Sequence, residues 1–184
     1  GNILGGQQHG HIVSVGYETY AQLLREAVAE IKGEPLAHRV MPPFDVAVEA
    51  YIPEAYVPSE AQKITLYKRI AGIATVEDAR EMVHELTDRF GKPPAPVRRL
   101  IDIMRVRALG ADAAVKTITA TRDSIRIEFE SPRIVHKAKA LLTEQFGRRV
   151  TFSGGGRPAI CFELAQHDDP IRCAGELLAF LAEF

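Results

Sequence analysis

The sequence predicts an α+β fold, in which a helical segment with one extended strand is followed by an antiparallel β-sheet with helices packed on one face. Polar and apolar residues alternate over 44–50, as they do on a half-exposed strand. Apolar residues then recur at helical spacing over 60–109. From 113 to 184 the pattern becomes strand, strand, helix, strand, strand, helix, which is typical of a sheet with helices on one side.

The mainly helical part, residues 44–112, begins with this strand. Proline lacks the N–H that a sheet ladder needs, so Pro53 and Pro58 end the strand and leave an extended segment. We interpret Tyr51 and Tyr56, beside these prolines, as anchors that pack the segment on the helices. The apolar periodicity predicts helices over 60–71, 75–90 and 97–109, the second of them with Thr75 as its N-cap and Asp78 in the capping-box position.

The α+β part, residues 113–184, is predicted to contain two hairpins, each followed by a helix. Strict alternation predicts strands over 115–119 and 124–129. Ser131 and Pro132 suit the N-cap and first position of the next helix, which Gly147 ends. Two further strands, 150–152 and 159–164, flank the glycine turn 154–156, and a helix over 170–184 closes the chain.

The first 43 residues are predicted to lie outside the main domain, 44–184. Apolar residues at helical spacing predict a helix over 17–32, and Gly33 is a natural stop. Residues 35–43 are rich in proline, which is typical of a linker and marks the predicted domain boundary. The chain begins without Met, and we interpret it as a piece of a longer polypeptide.

Composition limits the classes of protein to which the chain can belong. Its 184 residues are 46% hydrophobic and 26% charged, as in ordinary globular domains, and the net charge of −1 creates no global field that would attract nucleic acid. We interpret Cys161 and Cys173 as free thiols of a reducing compartment. No apolar run approaches the roughly 20 residues of a membrane span and no leader opens the chain, so a cytoplasmic protein without a membrane partner is expected.

The candidate catalytic groups are too dispersed to predict an enzyme. None of the six histidines is paired by spacing with a Ser or Cys, and His9 and His11 lack the third ligand that a zinc site needs. The segment 154–157, GGGR, could hold a phosphate, but its place between two short strands favours a hairpin. No catalytic, cofactor-binding or metal site is predicted, and the sequence favours a binding or regulatory module.

Charged residues form a stripe on the outer face of the helix predicted over 75–90. Such a stripe is either a solvated face or an electrostatic docking surface for a basic partner. Its members are Glu77, Arg80, Glu81, Glu85 and Asp88.

Three segments resemble the carboxy-terminal part of the bacterial transcription-repair coupling factor (Mfd) family. They are GNILGGQQHGHIVSVGYETYAQLLREAV at 1–28, AYIPEAYVPSEAQKITLYKRIA at 50–71 and ELTDRFGKPPAPVRRLIDIMRVR at 85–107. The resemblance covers residues 1 to about 110 through three motifs in the family's order. Residues 113–184 follow it by position and pattern only.

The resemblance implies that residues 1–34 are the tail of a translocase motor module and its linking helix. The leading segment is similar to the end of a translocation motif shared with the helicase RecG, which places Gly5, Gln7 and Gln8 in the loop that couples the motor to double-stranded DNA. ATP and Mg²⁺ would then bind the motor of the longer parent, an ATP-dependent DNA translocase. The fragment lacks those motifs, so it is expected to hold no cofactor and not to be an enzyme alone.

The resemblance also implies an autoinhibitory role for residues 44–184. The family's domain docks on the amino-terminal UvrB-like module of the same protein and masks the surface that recruits UvrA until the motor engages stalled RNA polymerase. We predict Glu85 and Asp88 as the contact acids, Glu81 as a supporting charge and Arg89 as a structural or polar partner. Exposed ion pairs contribute about 0 to 1 kcal/mol each, so a set of them can be released.

Two alternatives remain. An enzyme would require a pocket with convergent titratable groups. The other alternative is a nucleic-acid-binding accessory domain of a superfamily 2 helicase. Such a domain would neutralise phosphates with clustered basic side chains. The candidates are Lys68, Arg69, Arg98, Arg99, Arg105 and Arg107.

Overall fold

A mixed sheet with helices on one face forms residues 40–183, the part of the chain that the computed structural model describes. The predicted α+β class is confirmed. The strands are β1 (Phe44–Val46), β2 (Val115–Ala120), β3 (Ser124–Phe129), β4 (Val150–Ser153) and β5 (Ala159–Glu163). The helices are α1 (Glu60–Ala71), α2 (Val76–Phe90), α3 (Ala95–Asp112), α4 (Pro132–Phe146) and α5 (Pro170–Leu181).

The sheet has the order β1-β2-β3-β5-β4, and all neighbours are antiparallel except β1 and β2. The extended strand that precedes the helices therefore joins the sheet of the second half of the chain, in parallel with β2. It is also shorter than the alternation over 44–50 predicts. Val46 pairs with Ala120, the last residue of β2, so the pairing with β2 ends there.

One face of the sheet is apolar and the other is polar. The register aligns Ile118, Ile127, Ile160 and Phe152 across four strands, and the first three are at most 1% exposed. The neighbouring row on the opposite face is Thr119, Arg126, Cys161 and Thr151. A shift of register between Val115 and Thr117 lets Val115 and Ile118 both face the core although they are three apart.

The helices lie against the apolar face in the predicted arrangement. α3, α4 and α5 contact the sheet, while α1 and α2 pack on α3. The predicted N-cap at Ser131 is confirmed, since its hydroxyl accepts a hydrogen bond from the N–H of Arg133. Asp169 caps α5 in the same way through the N–H of Ile171. Cys161 and Cys173 are free thiols, as predicted.

The end of the predicted linker is fastened to α3 and β2. The Nε of Arg107, a residue only 4% exposed, donates to the carbonyl oxygen of Pro42 at 2.9 Å. The next carbonyl, that of Pro43, accepts from the N–H of Ile118 at 2.9 Å and starts the parallel pairing of β1 with β2. Gly110 makes this approach of chain and helix possible, because a Cβ there would lie 2.7 Å from Cγ of Pro42.

Replacing Gly110 with Ala is expected to destabilise the fold by about 1–3 kcal/mol, the usual cost of forcing an extra methyl into a packed core. This cost exceeds the roughly 1 kcal/mol that Ala gains over Gly inside a helix. Urea unfolding followed by circular dichroism measures the change. The control is Gly154→Ala, because nothing lies within 4 Å of a Cβ there. A Gly110→Ala variant as stable as the wild type would contradict the close approach.

Candidate docking surface

A reciprocal capping box holds the beginning of α2. The hydroxyl of Thr75 accepts from the N–H of Asp78 at 3.0 Å, and Oδ2 of Asp78 accepts from the N–H of Thr75 at 2.9 Å. A further N–H, that of Ala74, donates to the same carboxylate at 3.0 Å. Partial burial opposes ionisation of Asp78, but these hydrogen bonds outweigh it and lower the pKa of the carboxyl. The capping pattern predicted from Thr75 and Asp78 is confirmed.

The other end of α2 is held by the extended segment that precedes α1. The hydroxyl of Tyr56 donates to the carbonyl of Gly91 at 2.8 Å and lies 3.2 Å from that of Leu86, while its ring packs 5.8 Å from the ring of Phe90. Tyr56 thus anchors the extended segment on α2, as predicted. Tyr51 does not, since it is 42% exposed. Gly91 leaves the helix at a φ of +82°, a left-handed region that favours glycine.

The outer face of α2, defined here as Glu81, Glu85 and Asp88, points away from the core. These residues are spaced i, i+4 and i+7, so they follow one line along the helix. Ala79, Met82 and Leu86 of the same helix are buried on its inner side. With both ends of α2 held by hydrogen bonds, the acidic line has a fixed direction.

The carboxylate of Glu85 is bound by two arginines. Its two carboxylate oxygens accept a bidentate pair of hydrogen bonds from Arg69 of α1, and Oε1 also accepts from Nη1 of Arg89 at 2.7 Å. The hydrogen bonds from Arg69 and then Arg89 hold the pKa of the Glu85 carboxyl at about 2, below its ordinary 4.5. The guanidinium of Arg89 also lies 4.9 Å from the ring centre of Phe90. We call this group the Arg69–Glu85–Arg89 cluster.

The four predicted docking residues therefore have different surroundings. Glu85 is paired with both Arg69 and Arg89, and Arg89 is paired with Glu85. Glu81 and Asp88 are exposed, and within residues 40–183 neither takes part in an ion pair. The contact between Glu85 and Arg89 could have been expected from their i, i+4 spacing. Sequence reasoning missed the role of Arg69, because its contact with Glu85 depends on how α1 packs beside α2.

The basic residues proposed for nucleic-acid binding are not brought together into one exposed patch. Arg107 is buried, so it cannot contact a phosphate backbone. Arg69 is held by Glu85, and Nη1 of Arg99 donates to the carbonyl of Glu49 at 3.0 Å. Arg105 lies 3.9 Å from a carboxylate oxygen of Asp102. This group of six residues, which also includes Lys68 and Arg98, does not support the nucleic-acid alternative.

Gly5, Gln7 and Gln8, predicted for the translocation loop, lie outside residues 40–183, as do His9 and His11. Within the described part, no group of three or more His, Cys, Asp and Glu side chains is placed to hold a metal ion. None of the helices in that part has the length and apolarity needed to cross a bilayer.

Replacing Glu85 with Gln is expected to lower the free energy of unfolding by about 1 kcal/mol at neutral pH, since two partly exposed ion pairs are weakened. The carboxyl has a lower pKa in the folded than in the unfolded chain. Its contribution is therefore full above pH 4.5 and is lost as the pH falls toward about 2. Urea unfolding at several pH values should show the two proteins converging in acid.

The matched control for this measurement is Glu81→Gln, which removes a carboxylate from the same face without breaking an ion pair. It should change the stability by less than about 0.5 kcal/mol, as is usual for exposed sites. Equal effects of the two substitutions at neutral pH would contradict the role given to the cluster.

Comparison with known proteins places the chain in one family. A family model described as the TRCF domain matches residues 46–140. The transcription-repair-coupling factor of Bacillus subtilis is 36% identical over 161 residues, which cover 85% of this chain and 14% of the relative. That of Staphylococcus epidermidis is 40% identical over 129 residues, 69% of this chain and 11% of the relative.

A solved structure supports the fold. It is described as the crystal structure of the C-terminal domain of transcription-repair coupling factor, and it matches with a TM-score of 0.64 at 23% identity, covering 76% of this chain and 92% of that one. The chain spans only 11–14% of the length of the full-length relatives given above. With the family model matching more than half of its residues, the chain belongs to the TRCF domain family of the transcription-repair-coupling factors.

Proposed function

We propose that this chain is the carboxy-terminal autoinhibitory domain of a transcription-repair coupling factor. Its α2 outer face docks on the amino-terminal UvrB-like module of the same protein and masks the surface that recruits UvrA. Docking also restrains the ATP-driven DNA translocase until the protein engages stalled RNA polymerase. Membership of the TRCF domain family and the exposed acidic line on a rigidly held helix support this proposal.

The exposed carboxylates of Glu81 and Asp88 are the observation that carries the docking step. Neither is engaged in an ion pair within residues 40–183, so each is available to a guanidinium of the facing module. Arginine is well suited to that facing surface, because its planar fork binds a carboxylate through two parallel hydrogen bonds.

The Arg69–Glu85–Arg89 cluster makes the docking reversible. An arginine of the module that approaches Glu85 has to compete with Arg69 and Arg89, which already bind both of its oxygens. When the module leaves, Glu85 keeps these partners, so no unpaired charge is left to disfavour the undocked state. The free energy gained on docking is the difference between the ion pairs formed with the module and those kept within the cluster. Each exposed ion pair contributes about 0 to 1 kcal/mol, so this difference is small.

A small free-energy difference suits an inhibitory contact. If the docked form hides the recruiting surface, the apparent affinity for UvrA is the intrinsic affinity multiplied by the fraction of undocked protein. A change of about 1.4 kcal/mol in the free energy of docking changes the ratio of undocked to docked protein tenfold. Engagement of RNA polymerase therefore needs to supply only a modest differential binding energy to unmask the surface.

The motor functions belong to the rest of the parent protein in this proposal. ATP and Mg²⁺ bind there, and double-stranded DNA is moved there. Gly5, Gln7 and Gln8 of this chain form the last part of the translocation motif. The domain after the linker contributes regulation and no catalytic group.

Asp88→Lys in the full-length protein is expected to raise the affinity for UvrA at least about threefold, because reversing an exposed charge weakens docking by a sizeable part of 1 kcal/mol. Asp88 is the most suitable position for this test, since its replacement leaves the Arg69–Glu85–Arg89 cluster intact. Binding is measured by titration of labelled UvrA.

The matched control is Glu144→Lys, which reverses an exposed charge on α4, a helix that packs on the sheet. It should leave the affinity for UvrA at the wild-type value. An Asp88→Lys protein that is folded but binds UvrA no more tightly than the Glu144→Lys control, with unchanged basal ATPase activity, would overturn the docking proposal.

A further inference from the structure

A second surface of α2 lines a groove that the docking proposal does not use. The groove encloses about 490 Å³ between α2, α3 and the beginning of α5. Arg80 and Val83 of α2 lie on it, whereas Glu81, Glu85 and Asp88 are not among its lining residues. The groove and the outer face therefore use different residues of one helix.

The groove carries an excess of positive charge. Four arginines line it, Arg80, Arg98, Arg105 and Arg172, against two carboxylates, Asp102 and Asp169. Burial raises the pKa of Asp102, while Arg105 and Arg98 act in the opposite direction. The carboxylate of Asp169 is already used, since it accepts a hydrogen bond from the N–H of Ile171 at 2.9 Å.

The carboxylates of the groove do not form close ion pairs with all of its arginines. Arg98 is exposed and has no ion pair within residues 40–183, and Arg105 lies only at 3.9 Å from Asp102. Arg80 and Arg172 pair with acids of their own helices, Glu77 at 3.4 Å and Glu176 at 2.8 Å, which are not groove residues. Exposed pairs of this kind are weak and exchange readily with other carboxylates.

The position of Arg105 is set by the packing of α5 on α3. A Cβ at position 175 would lie 3.1 Å from Nη2 of Arg105, so Gly175 leaves the space that this guanidinium occupies. Two partly exposed apolar side chains, Val76 and Val83, lie among the charged ones. The groove thus combines apolar surface with guanidinium groups on two helices and at the start of a third.

We propose that this groove binds an acidic peptide segment of a partner protein, whose carboxylates contact Arg98 and Arg105 and whose apolar side chain packs on Val76 and Val83. Charge complementarity favours an acidic ligand. The apolar surface and the two carboxylates of Asp102 and Asp169 favour a peptide over a nucleic acid, because a continuous phosphate backbone would meet both acids.

The experiment uses the 184-residue chain and a fluorescein-labelled dodecapeptide in which glutamates flank two leucines. Fluorescence anisotropy should show saturable binding. Replacing the glutamates of the probe with glutamines should weaken binding about tenfold or more, since several charge-assisted hydrogen bonds are lost. Replacing its leucines with serines should weaken binding as well.

Variants of the chain test the groove itself. Arg98→Glu combined with Arg105→Glu should weaken binding of the acidic probe at least about tenfold. The control Arg122→Glu, an exposed arginine in the turn between β2 and β3, should bind as the wild type does. Arg98→Gln only removes a charge at an exposed site, so it should weaken binding of the probe to a smaller extent. This variant still tests the groove if the double variant does not fold. Circular dichroism confirms that each variant is folded.

Three results would overturn the proposal. One is the absence of saturable binding of the acidic probe. Another is equal loss of binding in the double variant, Arg98→Glu with Arg105→Glu, and in the Arg122→Glu control. The third is displacement of the probe by a short DNA duplex at lower concentration than by unlabelled peptide, which would assign the groove to nucleic acid.

Discussion

The arrangement of this domain depends on the contact between α3 and residues 42–43. Arg107 binds the carbonyl of Pro42 from inside the core, Gly110 leaves room for the ring of Pro42, and the next carbonyl begins the pairing of β1 with β2. Buried polar groups of this kind must be hydrogen-bonded. The contact joins the chain that enters the domain to the central helix and to the edge of the sheet, and α3 in turn supports α1, α2 and α5.

Because α2 rests on α3 and is held at both ends, its outer face and the groove beside it have fixed positions and opposite charge. The outer face presents the carboxylates of Glu81 and Asp88 beside the Arg69–Glu85–Arg89 cluster. The groove side presents guanidinium groups. The domain therefore carries an acidic surface on α2 and a basic groove between α2, α3 and the beginning of α5, although the net charge of the chain is near zero.

Local patterns predicted most of the elements, and the parts they missed depend on tertiary contacts. Alternation and helical spacing identified the strands and helices, and Thr75 and Ser131 marked helix starts through chemistry that acts within four residues. The parallel pairing of β1 with β2 could not be predicted, because it joins residues more than 70 positions apart. For the same reason the line of acids on α2 was visible in the sequence, but the binding of Glu85 by Arg69 was not.

The α2 outer face is proposed to dock on the UvrB-like module of the same protein. A photoreactive amino acid at position 88 of the full-length protein tests this contact directly, with position 144 as the control. In the resting protein, position 88 should crosslink to the amino-terminal UvrB-like module, and the crosslink should disappear when the protein engages stalled RNA polymerase. Crosslinks from position 88 that never reach that module, or that persist unchanged on the polymerase, would contradict the account.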